Sequence, residues 1–130
     1  MITTRGRYAL QVLIDLAEHN NGSYIPLKAV AERQQISLKY LEQIMTLLNK
    51  ANLVEGSAGK GGGYRLNRSP NDYIVGDILR VTERGLTPIS CLEHCTHTVE
   101  CKTHSMWIKY RDMTNQFFDS ITIANLLNDS

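Results

Sequence analysis

The sequence predicts a mainly α-helical chain, one small helical domain holding a two-stranded hairpin and then a long C-terminal helix. Three observations predict it. Apolar residues recur at three- and four-residue steps in a series of short stretches before Gly85; a glycine-rich run flanked by β-type segments interrupts them; and a longer apolar stripe begins near Ser105. The chain of 130 residues, with 42% hydrophobic and 21% charged residues, has the size and composition of one folded domain rather than a disordered or fibrous chain.

The first helix is predicted over about Thr4 to His19, with Leu10, Leu13, Ile14 and Ala17 on one face and a stop at Asn20-Asn21-Gly22. Ser23-Tyr24-Ile25 reads as extended. Pro26 suits a first helical position, and Leu27, Val30 and Ala31 give a short second helix its apolar face. After a break at Gln34-Gln35-Ile36, Ser37 is a good N-cap for a third helix running to Asn49 or Lys50, lined by Leu38, Leu41, Ile44, Met45 and Leu48. Two short helices meeting across a turn, with Ile36 pointing inward, outline a helix-turn-helix. Leu53-Val54-Glu55 and Tyr64-Arg65-Leu66 then read as strands on either side of Gly56-Ser57-Ala58-Gly59-Lys60-Gly61-Gly62-Gly63. A helix-turn-helix followed by such a hairpin is the order of a winged helix.

A fourth helix is predicted from Ile74 to Arg84, with Ile74, Ile78, Leu79 and Val81 apolar. Residues 86 to 103 show no period. From Ser105, Met106, Trp107, Tyr110, Met113, Phe117 and Ile121 form one stripe too large to be satisfied within a core already closed by short helices, so its expected use is a homodimer interface. The expected organisation is a winged helix-turn-helix DNA-binding domain at 1–84, a ligand-binding loop at 85–104, and a dimerisation helix with a C-terminal tail at 105–130.

Charge supports a polyanionic partner for the first half. Residues 1–68 hold nine Lys or Arg against five Asp or Glu, a net of +4, whereas residues 69–130 hold five against eight, a net of −3. The glycine run is not followed by a helix, as a nucleotide-cradling loop requires; a wing approaching double-stranded DNA accounts for its glycines and for Lys60, Arg65 and Arg68. No stretch approaches the roughly 18 apolar residues of a membrane span, and the first residues lack a signal-peptide core, which gives a cytoplasmic expectation without a membrane partner. No paired carboxylates, nucleophile elbow or nucleotide loop suggest an enzyme.

The aperiodic segment is chemically dense: Cys91, Cys95, Cys101 and three histidines, His94, His97 and His104, fall within fourteen residues. In a reducing compartment such cysteines point to a metal rather than a disulfide framework. Thiolates select iron–sulfur clusters and zinc, with imidazole able to complete the set. The irregular spacing favours a cluster, while zinc and metal-free redox thiols stay open as alternatives. Among the histidines, His104, two residues beyond Cys101, is the leading ligand candidate.

Thr3-Thr4-Arg5-Gly6-Arg7-Tyr8-Ala9-Leu10, Ile36-Ser37-Leu38-Lys39-Tyr40-Leu41-Glu42-Gln43-Ile44, Gly61-Gly62-Gly63-Tyr64 and Val75-Gly76-Asp77-Ile78 resemble the Rrf2 family of winged-helix transcription regulators over nearly the whole chain. The cysteine segment, with Cys101-Lys102-Thr103-His104-Ser105-Met106-Trp107, most resembles the family's IscR group of iron–sulfur regulators. The resemblance implies a homodimer on a palindromic operator, with the third helix in the major groove and the wing near the minor groove. It implies DNA contacts from Thr4, Arg5, Arg7, Lys39, Tyr40, Glu42 and Gln43, to which the charge reading adds Lys60 and Arg65. It also implies Cys91, Cys95, Cys101 and His104 as ligands of a 2Fe-2S cluster, with 4Fe-4S as the other nuclearity, in a repressor or activator of iron–sulfur biogenesis or related genes. Two departures stand out: the first cysteine interval is shorter than in the IscR group, and Ala58-Gly59 stands where Arg-Gly is common. The alternatives are a nitric-oxide-sensing NsrR-like regulator, a CymR-like regulator of cysteine metabolism and a zinc-bound interaction protein. NsrR-like members use an acid near the N-terminus, where this chain has Arg7-Tyr8-Ala9, and CymR-like members lack the cysteine triad.

Overall fold

Thr3 starts the first helix, α1 (Thr4–Glu18): its own backbone is extended and its hydroxyl accepts from the Gly6 N–H. The computed structural model describes residues 2–83, 86 and 102–128, and all that follows concerns these residues. Ala9, Val12, Leu13 and Leu16 of α1 are fully buried. The helix stops where expected, because Asn20 and Asn21 each turn a side-chain oxygen onto a backbone N–H two residues on, at Gly22 and Ser23.

Helix α2 (Leu27–Gln34) begins one residue later than the sequence suggests, with Pro26 as its cap rather than its first residue. It buries only Val30 and Ala31. Gln35 ends it in left-handed backbone at φ 55°, a place more usual for glycine, and Ile36 packs inward as expected. Ser37 then caps α3 (Leu38–Lys50) by accepting from the Tyr40 N–H, and Leu41, Ile44, Met45 and Leu48 fill the core. Leu38, expected on that apolar row, stays 42% exposed because the first helical position projects beyond the packed turn.

Strands β1 (Val54–Ser57) and β2 (Gly63–Leu66) pair antiparallel, with Val54 opposite Leu66 and Ser57 opposite Gly63. Leu53, expected in the first strand, is buried just ahead of the ladder. Ile25 adds a bridge on the far side of β2: its N–H donates to the Tyr64 carbonyl at 2.8 Å, and the Tyr64 N–H donates back at 2.9 Å. Gly63 is required there. Its φ is +143°, and a Cβ would collide with the Ile25 carbonyl.

After a single 3-10 turn at Pro70–Asp72, buried Tyr73 donates its hydroxyl to the Leu53 carbonyl at 2.6 Å and accepts from the Asn67 N–H, tying the wing base to the start of α4 (Val75–Glu83). Helix α5 (His104–Asp119) is the long helix expected, but none of its sixteen residues is buried. It ends before Ile121, which the sequence placed on its stripe. The chain then returns to the winged domain: the Val75 N–H donates to the Ile121 carbonyl and the Ile123 N–H to the Tyr73 carbonyl, both at 2.9 Å.

The segment expected as a tail is therefore a short helix, α6 (Ile123–Leu127), with Ile123 fully buried in the main core. Thr122 and Asn125 exchange side-chain-to-backbone bonds that start it. A second, smaller cluster of Val75, Leu79 and Leu86 receives Phe118, Ile121 and Leu126 beneath the end of α5. Polar contacts from Arg80 to Asn115 and Asp119, each 2.8 Å, complete the attachment of α5.

Candidate nucleic-acid interface and metal ligands

The buried side of α3 leaves Lys39, Glu42 and Gln43 together on its exposed side, within one turn. Their head groups offer a cation, an acceptor and an amide that both donates and accepts. Tyr40 is only half exposed, because its ring packs edge-to-face on Tyr8 at 6.0 Å between centroids and rests on the core. It fixes α3 against α1 as much as it faces outward.

The three wing cations have different surroundings. Lys60 is exposed at the hairpin tip, between Gly59 and Gly61, whose positive φ angles shape the turn. Arg65, expected at a phosphate, has partners within the protein: Nε donates to Glu55 at 2.9 Å, Nη1 to the Gly22 carbonyl at 2.8 Å, and the guanidinium lies 4.3 Å from the centre of the Tyr24 ring. The bond to Glu55 holds it still more firmly protonated than a free arginine. Arg68 likewise donates to the Asn52 carbonyl and the Asn67 side chain. Lys60→Ala is therefore expected to lower the salt dependence of DNA binding by about one ion, whereas Arg65→Ala leaves that slope unchanged and loosens the wing. Titrations at several salt concentrations separate the two, and a full unit lost with Arg65→Ala would return Arg65 to the interface.

At the N-terminus of α1, Thr4 and Arg7 are exposed and line a cleft of about 300 Å³ with Tyr8, Gln11 and Gln34. Arg5 is directed elsewhere. Its Nη2 donates to the Thr82 carbonyl at 2.7 Å, bracing α1 against the end of α4, and its buried Nε has no hydrogen-bond partner among the described residues. Thr3 joins the same brace by donating its N–H and hydroxyl to Glu83. Gly6 permits this approach, since a Cβ there would strike the Glu83 carboxylate.

Sequence reasoning missed Asp15, although a carboxylate between Ile14 and Leu16 on an apolar helix is a visible signal. Asp15 is 2% exposed and accepts Arg33 Nη2 at 2.7 Å, Arg33 Nε at 3.0 Å and Gln34 Nε2 at 2.9 Å. Burial is the strongest single influence and raises its pKa; the Arg33 and Gln34 bonds, with the charges of Arg33 and His19, together outweigh it, so the carboxyl titrates below its usual value of 3.8. A depressed native pKa contributes stability that is complete above pH 3.8 and is lost as pH falls through the lower native value. Acid titration of unfolding free energy should show this loss in wild type and a shallower decline in Asp15→Asn; parallel curves would contradict it.

Of the four expected metal ligands, Cys91, Cys95 and Cys101 lie outside the described residues. His104 is the first residue of α5 and is half-buried. Among the described residues no three His, Cys, Asp or Glu side chains gather as a metal site. The donor set of three thiols and one imidazole fits iron–sulfur ligation by its chemistry. No described helix is long and apolar enough to cross a membrane.

Residues 2–129 match the model of a family described as "Rrf2: Iron-dependent Transcriptional regulator". The chain is 37% identical over 131 aligned positions to an HTH-type transcriptional regulator, IscR, of Photobacterium profundum, covering 99% of this chain and 76% of that one. A putative HTH-type transcriptional regulator of Haemophilus influenzae is also 37% identical, over 98% of this chain and 86% of its own. Among solved structures, CymR, the global cysteine regulator of B. subtilis, superposes with a TM-score of 0.86 at 33% identity, covering 100% of this chain and 98% of that one. T. potens IscR superposes at 0.80 with 40% identity, covering 99% and 87%. The fold is thus shared by regulators of both groups.

Proposed function

The chain belongs to the Rrf2 family of helix-turn-helix transcriptional regulators and is not an enzyme; on that premise we propose that it is a homodimeric DNA-binding regulator that senses iron–sulfur or redox status through an iron–sulfur cluster. The observation that carries the DNA reading is α3: one side is sealed into the core, and the other leaves Lys39, Glu42 and Gln43 exposed together. Gln43 can pair bidentately with adenine and Glu42 can accept from cytosine, so these two read bases. Lys39, Lys60, Thr4 and Arg7 contact phosphate and fix the register. Tyr40, Arg5 and Arg65 chiefly hold these elements in place.

Two copies joined along α5 read a palindromic operator, with half-sites about one helical turn, or a small multiple of it, apart. Cys91, Cys95, Cys101 and His104 hold the cluster, 2Fe-2S by resemblance to the IscR group. When bound, it would supply redox-sensitive iron chemistry to the segment of chain between α4 and α5. Target genes of iron–sulfur biogenesis and a cytoplasmic setting accord with this reading.

Anaerobically purified protein and its metal-free form should be compared on a duplex selected by the wild-type protein from a random pool. The expected result is visible iron–sulfur absorption together with a difference in affinity of about tenfold between the two forms, equal to about 1.4 kcal/mol of coupling. A colourless zinc protein, or identical affinities, overturns the sensing reading; no selectivity for any duplex overturns the DNA reading.

A further inference from the structure

Asp15, Arg33 and Gln34 cluster where the end of α2 meets α1, just before the turn that leads into α3. Arg33 and Gln34 are the last two residues of α2, and only Gln35, Ile36 and Ser37 separate them from α3. Asp15 on α1 is too buried to reach DNA, and the Arg33 fork engages both of its oxygens. Gln34 adds a bond to Oδ2, while His19 Nδ1 lies 3.6 Å from Oδ1.

The end of α2 is otherwise held by its own backbone bonds to Ala31 and by the packing of Val30, Ala31 and Ile36. This eight-residue helix buries two side chains and has no side-chain N-cap bond. Its exit through left-handed Gln35 is an unfavourable conformation for a non-glycine residue and persists only where both flanks are fixed. The Ile36 N–H bond to Ala31 fixes one side, and the carboxylate fixes the other through Gln34.

We propose that Asp15 is a specificity-determining positioning residue: through Arg33 and Gln34 it sets the direction in which α3 leaves the turn, and so the alignment of Glu42 and Gln43 with base edges. This rests on the DNA reading above. Arg33 then serves as an internal clamp rather than a phosphate contact. Base readout needs placement within hydrogen-bond tolerance, whereas phosphate attraction is long-ranged and forgiving, so a misaimed α3 loses selectivity before it loses general affinity.

The test uses the full-length dimer, with Arg33→Lys, Gln34→Ala and Asp15→Asn measured on the wild-type-selected duplex and on a random duplex at several salt concentrations, each variant first verified as folded by circular dichroism. Arg33→Lys keeps the charge but loses the fork; it is expected to cut the selected-to-random affinity ratio about tenfold with an unchanged salt slope. Gln34→Ala leaves the ion pair intact, so the fold is retained, and should cut the ratio about threefold. If Arg33 were a phosphate contact, Arg33→Lys would preserve the ratio; that result overturns the proposal. So does a folded Gln34→Ala or Asp15→Asn protein with the wild-type ratio. Failure of wild type itself to select a duplex sinks the DNA reading instead, which keeps the two failures apart.

Discussion

Replacing Cys91, Cys95 or Cys101 by alanine is expected to abolish the visible absorption of anaerobically purified protein while leaving the chain folded and the proposed dimer intact. Each removes one of only three thiolates in the chain, and no other soft ligand of equal affinity stands in the same segment. His104→Ala should weaken or shift the absorption rather than remove it, since an exogenous donor can occupy a lost imidazole position. The fold should survive because, among the described residues, α1 to α4, the wing, Leu86, the end of α5 and α6 already close two cores. All four variants should move in DNA affinity toward the metal-free protein. Wild-type colour in the cysteine variants, or lost colour with unchanged affinity on every duplex, would show that this segment is not the sensor.

Phe117→Asp and Met113→Asp should each convert the proposed dimer to monomer at micromolar concentration. Met106, Tyr110, Met113 and Phe117 are 53%, 52%, 70% and 60% exposed in the single chain, an apolar series on a helix none of whose residues is buried. In a two-fold interface each position counts twice, so at about 1.5–3 kcal/mol per buried large side chain a single substitution removes about 3–6 kcal/mol and raises the dimer dissociation constant by two to four orders of magnitude. Sedimentation equilibrium measures this directly, with circular dichroism confirming that α5 persists. Operator affinity should fall with dimerisation, because each half-site is then bound alone. A wild-type monomer, or variants with an unaltered dimer constant, would remove α5 from the interface.

Much of the fold was legible because local chemistry and long-range packing agree. Ser37 and the row Leu41, Ile44, Met45 and Leu48 specify α3, and Asn20-Asn21-Gly22 specifies the end of α1, whatever lies around them. Glycine at Gly63 similarly announces a tight approach, although not the Ile25 carbonyl it approaches. The C-terminal segment was misjudged because Ile121 continues the helical period of α5. The competing signal, Thr122 with Asn125 three residues on, becomes decisive only when Tyr73 and Val75 supply backbone partners from far away in sequence.

By itself, the sequence determined the helix-turn-helix order, the hairpin, the polar outer face of α3 and the thiol and imidazole donors of Cys91, Cys95, Cys101 and His104, since these depend on residue type and short spacing. Tertiary structure decided which charges remain available. Arg7 and Lys60 stay exposed, while Arg5, Arg33, Arg65 and Arg68 are drawn to Thr82, Asp15, Glu55 and Asn52. Composition counts every cation alike, but a guanidinium already bonded inside the protein must give up those bonds to meet a phosphate, and only the folded neighbourhood shows which ones have made them.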